Sequence, residues 1–263
     1  MINVEIITQK DNFFIPKNVK KIIDLNRKDV TLTGVTLISS DGALNNKKSY
    51  FFKGFGFFES FKYGFLLGFQ FILDFLDRMA FFKIFNGIKS IKSVCDKHKV
   101  TLKEISNPNT CEYIDYLKSK KIGLVISFSA PIVFKGTLLN TPEHGCINLH
   151  CSLLPKYSGL MPSFWVLYKN EKSTGVSIHY MDSEIDNGAL LNQQMVEIPR
   201  KVSIFRLLTL TKNIGGELMC KTISEISHGR VSVEPNSRED GYYYSWPTIG
   251  EIRDFRSKGG RFI

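Results

Sequence analysis

No C-x-x-C pair occurs among the five cysteines, Cys95, Cys111, Cys146, Cys151 and Cys220. An odd number without paired spacing argues against both a disulfide framework and a structural zinc site, and suits a reducing cytoplasm. Long apolar runs are also missing. The start, MINVEIITQKDN, turns polar after a few residues, unlike a secretory signal. The longest apolar stretch, GFLLGFQFIL at 64–73, is followed by Asp74 and Asp77. It falls short of the roughly 20 residues that cross a bilayer. Glycine is absent from Met1 to Thr33, so no Gly-rich phosphate loop follows the first strand. No grouping of His, Cys and carboxylates has metal-ligand spacing, and no metal is expected. Acidic residues are outnumbered, 25 against 35 Lys and Arg, for a formal charge of +10. Such an excess suits phosphate-bearing ligands, nucleic acid or an anionic membrane surface without choosing among them.

What is present reads as an ordinary folded chain of 263 residues with 43% hydrophobic and 23% charged residues. That is enough for one sizeable core with a small appendage. Residues 2–8 and 30–38 have strand character, with a Lys-rich helical stretch after Pro16 between them, the beginning of a βαβ unit. IGLVISFSA at 122–130 is a nearly unbroken apolar run, as expected of a central parallel strand covered on both faces, and EYIDYLKSKK before it is a crossover helix. GCINLH at 145–150, TGVSIHYMD and ALLNQQMVEI read as further strands, and 203–226 as a long amphipathic helix. The expected organisation is an α/β domain with a mostly parallel sheet over residues 1–200, and a small helical and aromatic extension over 201–263.

One segment breaks this rhythm. Residues 51–85 hold 13 of the 21 phenylalanines, so a helical insertion is expected over about 51–90. Its simplest role is a helix packed onto the sheet. The alternative is a peripheral membrane or partner-binding helix, including a homo-oligomer contact.

The stretch from Gly145 to Gly188 carries the candidate chemistry. Side chains alternate along a strand, so Cys146, Asn148 and His150 share one face while Ile147 and Leu149 take the other. Asn148 and His150 stand at the strand's carboxyl end, where open parallel sheets bind ligands. Asp186 lies in the loop SEIDNG, from which a carboxylate can reach back to the imidazole. Acyl transfer to an amine requires removal of a proton from the attacking nitrogen, stabilisation of an oxyanion, and protonation of the leaving nitrogen. An imidazole, an amide and a carboxylate can divide that work. His179, which alternation puts on one face of its strand with Ser177 and Met181, either looks toward the same cleft or is a packed strand residue with one hydrogen bond, and it is left out of the catalytic set.

INLHCSLLPKYSG, then TGVSIHYMD and IDNGALL, resembles the folate-dependent formyltransferase family. That family includes methionyl-tRNA formyltransferase, glycinamide ribonucleotide formyltransferase and the N-formyltransferases of nucleotide-linked amino sugars. The shared features are Asn-x-His, Ser-Leu-Leu-Pro, a Gly four residues after the Pro, Thr-Gly-Val opening a strand, and Asp-x-Gly. They cover about residues 110–200 well and the first strand and helix only loosely. The resemblance implies a Rossmann-like formyltransferase fold and 10-formyltetrahydrofolate as the donor. It implies that Asn148 donates to the oxyanion and that His150 handles the proton or orients the amine. Asp186 would hold the imidazole and assist proton transfer through a bound water. It also implies a pterin slot between SFSAPIV (Phe128, Ser129, Ala130, Ile132) and the MDSEID loop (Met181, Asp182, Ile185). Ser152, Lys156, Tyr157 and Met161 become candidates for acceptor binding.

Three acceptors then compare by what is missing. The glycine-free first turn disfavours glycinamide ribonucleotide. Only residues 202–263 follow Lys201, too few for the large carboxyl-terminal barrel of the tRNA enzymes, and Ser158 occupies a place often held by Arg there. A nucleotide-linked amino sugar remains, with Trp165, Tyr242, Tyr243, Tyr244 and Trp246 available for stacking on a base or sugar, and Lys156 for the pyrophosphate. Trp165 reads equally as a core residue of a helix after Pro162. A family member that has lost catalysis and serves as a scaffold is the alternative from another class.

Overall fold

Alternation of apolar strands with capped helices folds this chain into a three-layer α/β arrangement. The computed structural model describes residues 1–25, 29–39, 44–237 and 241–263. In chain order the first elements are β1 (Ile2–Gln9), α1 (Ile15–Asp24), β2 (Val30–Ile38), α2 (Leu44–Met79), α3 (Ile91–His98), β3 (Thr101–Ile105), α4 (Cys111–Ser119) and β4 (Ile122–Phe128). They continue with α5 (Gly136–Leu139), β5 (Cys146–His150), β6 (Ser158–Gly159), α6 (Pro162–Tyr168), β7 (Ser173–Tyr180), β8 (Leu190–Glu197), α7 (Ile204–Ser227), β9 (Tyr243–Tyr244) and α8 (Ile249–Ser257).

Among the described residues the main sheet has seven strands in the order β3-β2-β1-β4-β5-β7-β8. The first five are mutually parallel, and β7 is antiparallel to both β5 and β8. The chain winds outward from β1 to β3, then restarts at β4 and winds the other way. The order therefore reverses between β1 and β4, and the crevice at the carboxyl ends of such strands is where open α/β sheets hold ligands.

Local chemistry explains the helix starts. The Asp11 carboxylate accepts from the amides of Phe13, Phe14 and Ile15 just ahead of α1, whose first turn also takes Pro16. Ser90, Thr110 and Ser203 cap α3, α4 and α7, and Thr248 with Glu251 forms a capping box on α8. Each side of the sheet has its own core. One gathers Val4, Ile6, Ile126, Ile147 and Leu149 with α1 and with Leu218, Met219 and Ile223 of α7. The other gathers Ile7, Val125 and Cys146 with Tyr113 and Leu117 of α4. Thus α7, which begins just beyond the expected division at residue 200, packs in the core of the sheet domain. A third cluster joins Phe164 and Trp165 of α6 to Phe255 and Phe262 of the tail.

The Phe-rich segment is helical as expected, with a kink at Gly56 (φ 74°). Side chains at 51–53 and 55 lie outside the described residues. The expectation that its apolar face packs onto the sheet is corrected. Phe57, Phe58, Phe61 and Phe65 are all at least 66% exposed, while Asp77 of the same helix is fully buried. Asp74 accepts from Ser93 of α3, and Asp77 is buried against the turn that follows the helix, where it accepts from the amides of Phe85 and Gly87.

A second buried acid lies in mid-sheet. Glu5 of β1 is fully enclosed and accepts a hydrogen bond from Thr36 at 2.7 Å, with the Tyr113 hydroxyl donating to Thr36 at 2.9 Å. Burial pushes the Glu5 carboxyl from its ordinary 4.5 up to about 7, against the weaker opposing pull of the Thr36 hydrogen bond. Between those two values the folded chain keeps a proton that the unfolded chain has released. Stability from this group therefore falls as pH rises through that window, by about 3 kcal/mol in total. Glu5→Gln keeps an oxygen for Thr36 and removes the charge. It is expected to raise the melting temperature near neutral and alkaline pH and to change it little below the ordinary glutamate pKa. A thermal melt series across pH checks this, and an equal shift at every pH would contradict it.

Candidate active site

The site grows from two adjacent strands and the loop beyond them. Alternation along β5 sends Ile147 and Leu149 into one core and Cys146 into the other, so Asn148 and His150 share the face of Cys146. Antiparallel pairing then sets Asn148 opposite His179 and His150 opposite Ser177. Asp186 comes back over these strands from the β7–β8 loop. It holds a left-handed conformation (φ 54°), which bends the loop sharply. Gly188 lets that bend lie flat on β7, because a Cβ there would sit 2.0 Å from the carbonyl oxygen of Tyr180. This is the physical reason for Asp-x-Gly.

The carboxylate of Asp186 bridges three groups. His150 Nδ1 lies 3.3 Å from Oδ2, His179 Nε2 lies 3.5 Å from Oδ1, and the amide of Gly159 donates to Oδ2 at 2.8 Å. Gly159 is the glycine four residues after Pro155. A side chain there would meet the Tyr244 carbonyl at 2.2 Å, so it also admits the tail strand β9 beside β6. The loop is pinned from behind, where Asn236 donates to the carbonyls of Asp186 at 2.9 Å and Gly188 at 3.0 Å.

Electrostatics follow from burial and these contacts. Burial alone would raise the Asp186 carboxyl, but His150, His179 and the Gly159 amide outweigh it and bring it down to about 2. Asp186 is therefore ionised at all ordinary pH values. Burial pulls His150 below the usual imidazole range, more strongly than Asp186 and the Tyr157 carbonyl raise it. Both of its ring nitrogens nonetheless face acceptors, since Nε2 donates to the Tyr157 carbonyl at 2.9 Å. A proton gained by His150 finds a partner on either side. His179 Nδ1 donates to the Tyr180 carbonyl at 2.7 Å, and its Nε2 lies 3.2 Å from the Asn148 amide nitrogen and 3.5 Å from Asp186 Oδ1. The Asn148 amide is thus positioned beside His179 at the carboxyl end of β5.

The structure thus brings Asn148, His150 and Asp186 together, and adds His179, which the sequence reading left out of the catalytic set. Its signal was in the sequence, because the period of two that aims Ser177 and His179 alike also sets them opposite His150 and Asn148 once the strands pair. Lys212 is a second residue that sequence reasoning did not single out. It is buried on α7, and its ammonium donates to Ser129 Oγ at 2.6 Å. Nothing in the pattern of a long amphipathic helix marks that lysine.

The remaining candidates divide. Ala130, Ile132 and Met181, just beyond the carboxyl ends of β4 and β7, are partly buried and each packs against the core cluster of Ile7, Val125 and Cys146. Ser129 beside them is in the left-handed region (φ 53°). Phe128 does not pack there. It is the last strand residue before the turn and its ring is fully buried in the opposite core. Asp182 shapes its own loop by accepting from the Glu184 amide and from Asn187 Nδ2, and Ile185 is exposed at the loop tip. Among the acceptor candidates, Ser152 is fully buried and its hydroxyl is committed to the carbonyls of Lys156 and Tyr157. Lys156 is exposed. Tyr157 stacks on Tyr244 at 5.3 Å and its hydroxyl donates to Glu171 at 2.6 Å. Met161 starts α6 and packs with Trp165, whose indole donates to the Ser245 carbonyl at 3.0 Å. Trp165 is therefore a core residue, and Tyr244 stacks on it at 4.8 Å.

The opposed effects on His150 are separable. Asp186→Asn removes the negative charge that raises its basicity and leaves burial in place. The His150 pKa, followed by ring-proton NMR, is expected to fall further in this variant. A rise or no change would contradict the assigned contact.

Comparison with known proteins bears on this geometry. A family model described as formyl transferase matches residues 89–223. The bifunctional polymyxin resistance protein ArnA of Wigglesworthia glossinidia brevipalpis is 39% identical over 130 residues, 49% of this chain and 20% of that protein. The methionyl-tRNA formyltransferase of Clostridium perfringens (strain 13 / Type A) is 32% identical over 158 residues, 60% of this chain and 51% of that protein. The match thus spans 20% of the length of the first relative and 51% of that of the second. Among solved structures, a sugar N-formyltransferase from Shewanella sp FDAARGOS_354 superposes with a TM-score of 0.60 at 19% identity, covering 98% of this chain and 79% of that one. The N-formyltransferase from Helicobacter canadensis, solved in complex with folinic acid and dTDP-3-aminofucose, gives 0.60 at 18% identity, covering 93% and 71%. The fold is theirs, and with the family's pattern spanning β5, β7 and the Asp186 loop, this chain belongs to the formyl transferase family.

Proposed function

We propose that the chain transfers the formyl group of 10-formyltetrahydrofolate to the amine of a nucleotide-linked amino sugar. The observation that carries this reading is the buried Asp186 carboxylate held between the imidazoles of His150 and His179, with the Asn148 amide beside them. In the reaction the amine nitrogen attacks the formyl carbon, the bond from that carbon to the carrier nitrogen breaks, and one proton passes from the amine to the carrier nitrogen. The Asn148 amide donates to the formyl oxygen as it becomes an oxyanion. His150 Nε2 points away from Asp186 and, once released from the Tyr157 carbonyl, is the nitrogen that meets the amine. Asp186 balances the charge while the imidazole carries the proton.

Residues present at the expected pterin slot fit a flat heterocycle. Ala130, Ile132 and Met181 offer apolar side chains, and the turn at Ser129 offers backbone groups for one edge. The carrier supplies the activated formyl group; everything else above is done by side chains of this chain. For the acceptor, the sugar reading is supported by the glycine-free first turn and by exposed Tyr242 near the site strand β6, since Ser158 donates to the Tyr242 carbonyl at 3.2 Å. The neighbour solved with dTDP-3-aminofucose agrees in kind. A tRNA acceptor is the second reading, favoured by the +10 charge and by relatives described as methionyl-tRNA formyltransferases.

The test is a panel assay with the folate carrier and candidate amines: nucleotide-linked 3-amino and 4-amino sugars, charged initiator tRNA, and glycinamide ribonucleotide. A gain of one formyl mass on an amino sugar is expected, and formylation of tRNA alone would replace the first reading with the second. Asn148→Ala, His150→Ala and Asp186→Asn are each expected to lower kcat by about 100-fold or more. Near-normal turnover in all three would remove the mechanism.

A further inference from the structure

Helix α2 is amphipathic in reverse. Beyond the kink at Gly56, Phe57, Phe61, Phe65, Ile72, Phe75 and Met79 recur at spacings of three, four or seven, and all are more than half exposed. Glu59, Gln70 and Asp74 of the same stretch point into the body and fasten it there. Glu59 accepts from the Ile263 amide at 3.0 Å, and Gln70 donates to the carbonyls of Asn12 at 2.8 Å and Lys89 at 3.1 Å. Asp74 accepts from Ser93 Oγ at 2.6 Å, while Asp77 turns inward onto the loop that follows the helix, accepting from the amides of Ile84, Phe85 and Gly87. An ordinary surface helix does the opposite. Each outward phenylalanine leaves on the order of 100 Å² of ring and stem in water, so the stripe exceeds the few hundred Å² that a monomer leaves uncovered.

Charge around the stripe is one-sided. Among the described residues 57–89, Lys62 and Lys83 are exposed, while the acids Glu59, Asp74 and Asp77 are turned inward. Lys89 lies 4.2 Å over the ring of Phe85. The face is therefore apolar with a basic margin, on a chain of net charge +10. A second copy brought against it would oppose like-charged margins, whereas anionic headgroups complement them. No helix among the described residues is long and apolar enough to cross a membrane, so a lipid partner leaves α2 lying in the surface plane.

We propose that α2 docks the protein on an anionic lipid surface, with the phenylalanine face entering the boundary between headgroups and acyl chains and the marginal lysines meeting the headgroups. The helix supplies none of the groups that surround Asp186, so docking and the reaction are separable.

Flotation with vesicles tests this. The whole chain is expected to float with vesicles of mixed phosphatidylcholine and phosphatidylglycerol and to remain behind with phosphatidylcholine alone. The variant Phe61→Ser, Phe65→Ser, Phe69→Ser is expected to lose flotation by about tenfold or more. Circular dichroism shows whether it folds. If it does not, Lys62→Glu with Lys83→Glu, which leaves the apolar face intact, reads the same binding and is expected to weaken it. Absent or lipid-independent flotation would overturn the proposal. So would a non-floating dimer in sedimentation velocity that the serine variant dissociates, because the second copy is then the occupant.

Discussion

Asp186 is ionised, buried and shared between two imidazoles and one backbone amide, and the end of the sheet is arranged to keep it so. Withdrawing a carboxylate from water is costly unless hydrogen bonds and opposite charge replace the lost hydration. The Gly159 amide supplies one such bond, which requires β6 to lie against the Asp186 loop. The tail strand β9 then pairs with β6, and Tyr244 covers Tyr157 and Trp165. Asn236 ties the back of the loop to the segment after α7. The carboxyl-terminal residues thus hold the loop that holds the carboxylate, and α7 contributes both core and the Lys212 contact to Ser129.

The same constraint gives the imidazoles different partners. His179 is locked by the Tyr180 carbonyl and orients Asn148, so the amide direction is set by the antiparallel register of β5 and β7. His150 is enclosed between two acceptors, and its burial opposes the charge that they invite. A group balanced in this way changes its proton occupancy when a ligand removes one contact, which is what acid–base work in a closed site requires.

Much of this was legible in the sequence wherever a period or a turn residue carried the information. The apolar run 122–130 and the alternating residues of β5 and β7 yield the central strands, and Asn148, His150 and Asp186 converge as expected. Long-range pairing was less legible. His179 stayed undecided between cleft and core because one strand considered alone does not reveal which strand lies opposite. Ser152 and Phe128 were read by their place in a motif, whereas the structure spends the first on a turn and the second on the core. β3 and the β6–β9 pair are short and only partly apolar, so hydrophobic periodicity leaves them unmarked. Helix α2 misled for a different reason. Its residues have a helical period, but burial cannot be inferred from apolarity when acids on the other face have stronger partners within the body.

Central to the account is that the formyl carbon sits beside Asn148 and within reach of His150 and Asp186. A co-crystal structure with 5-formyltetrahydrofolate measures this directly. The account predicts a pterin against Ala130, Ile132 and Met181 and a formyl oxygen in hydrogen-bond contact with Asn148 Nδ2. A carrier bound elsewhere, or a formyl group remote from all three side chains, would contradict it.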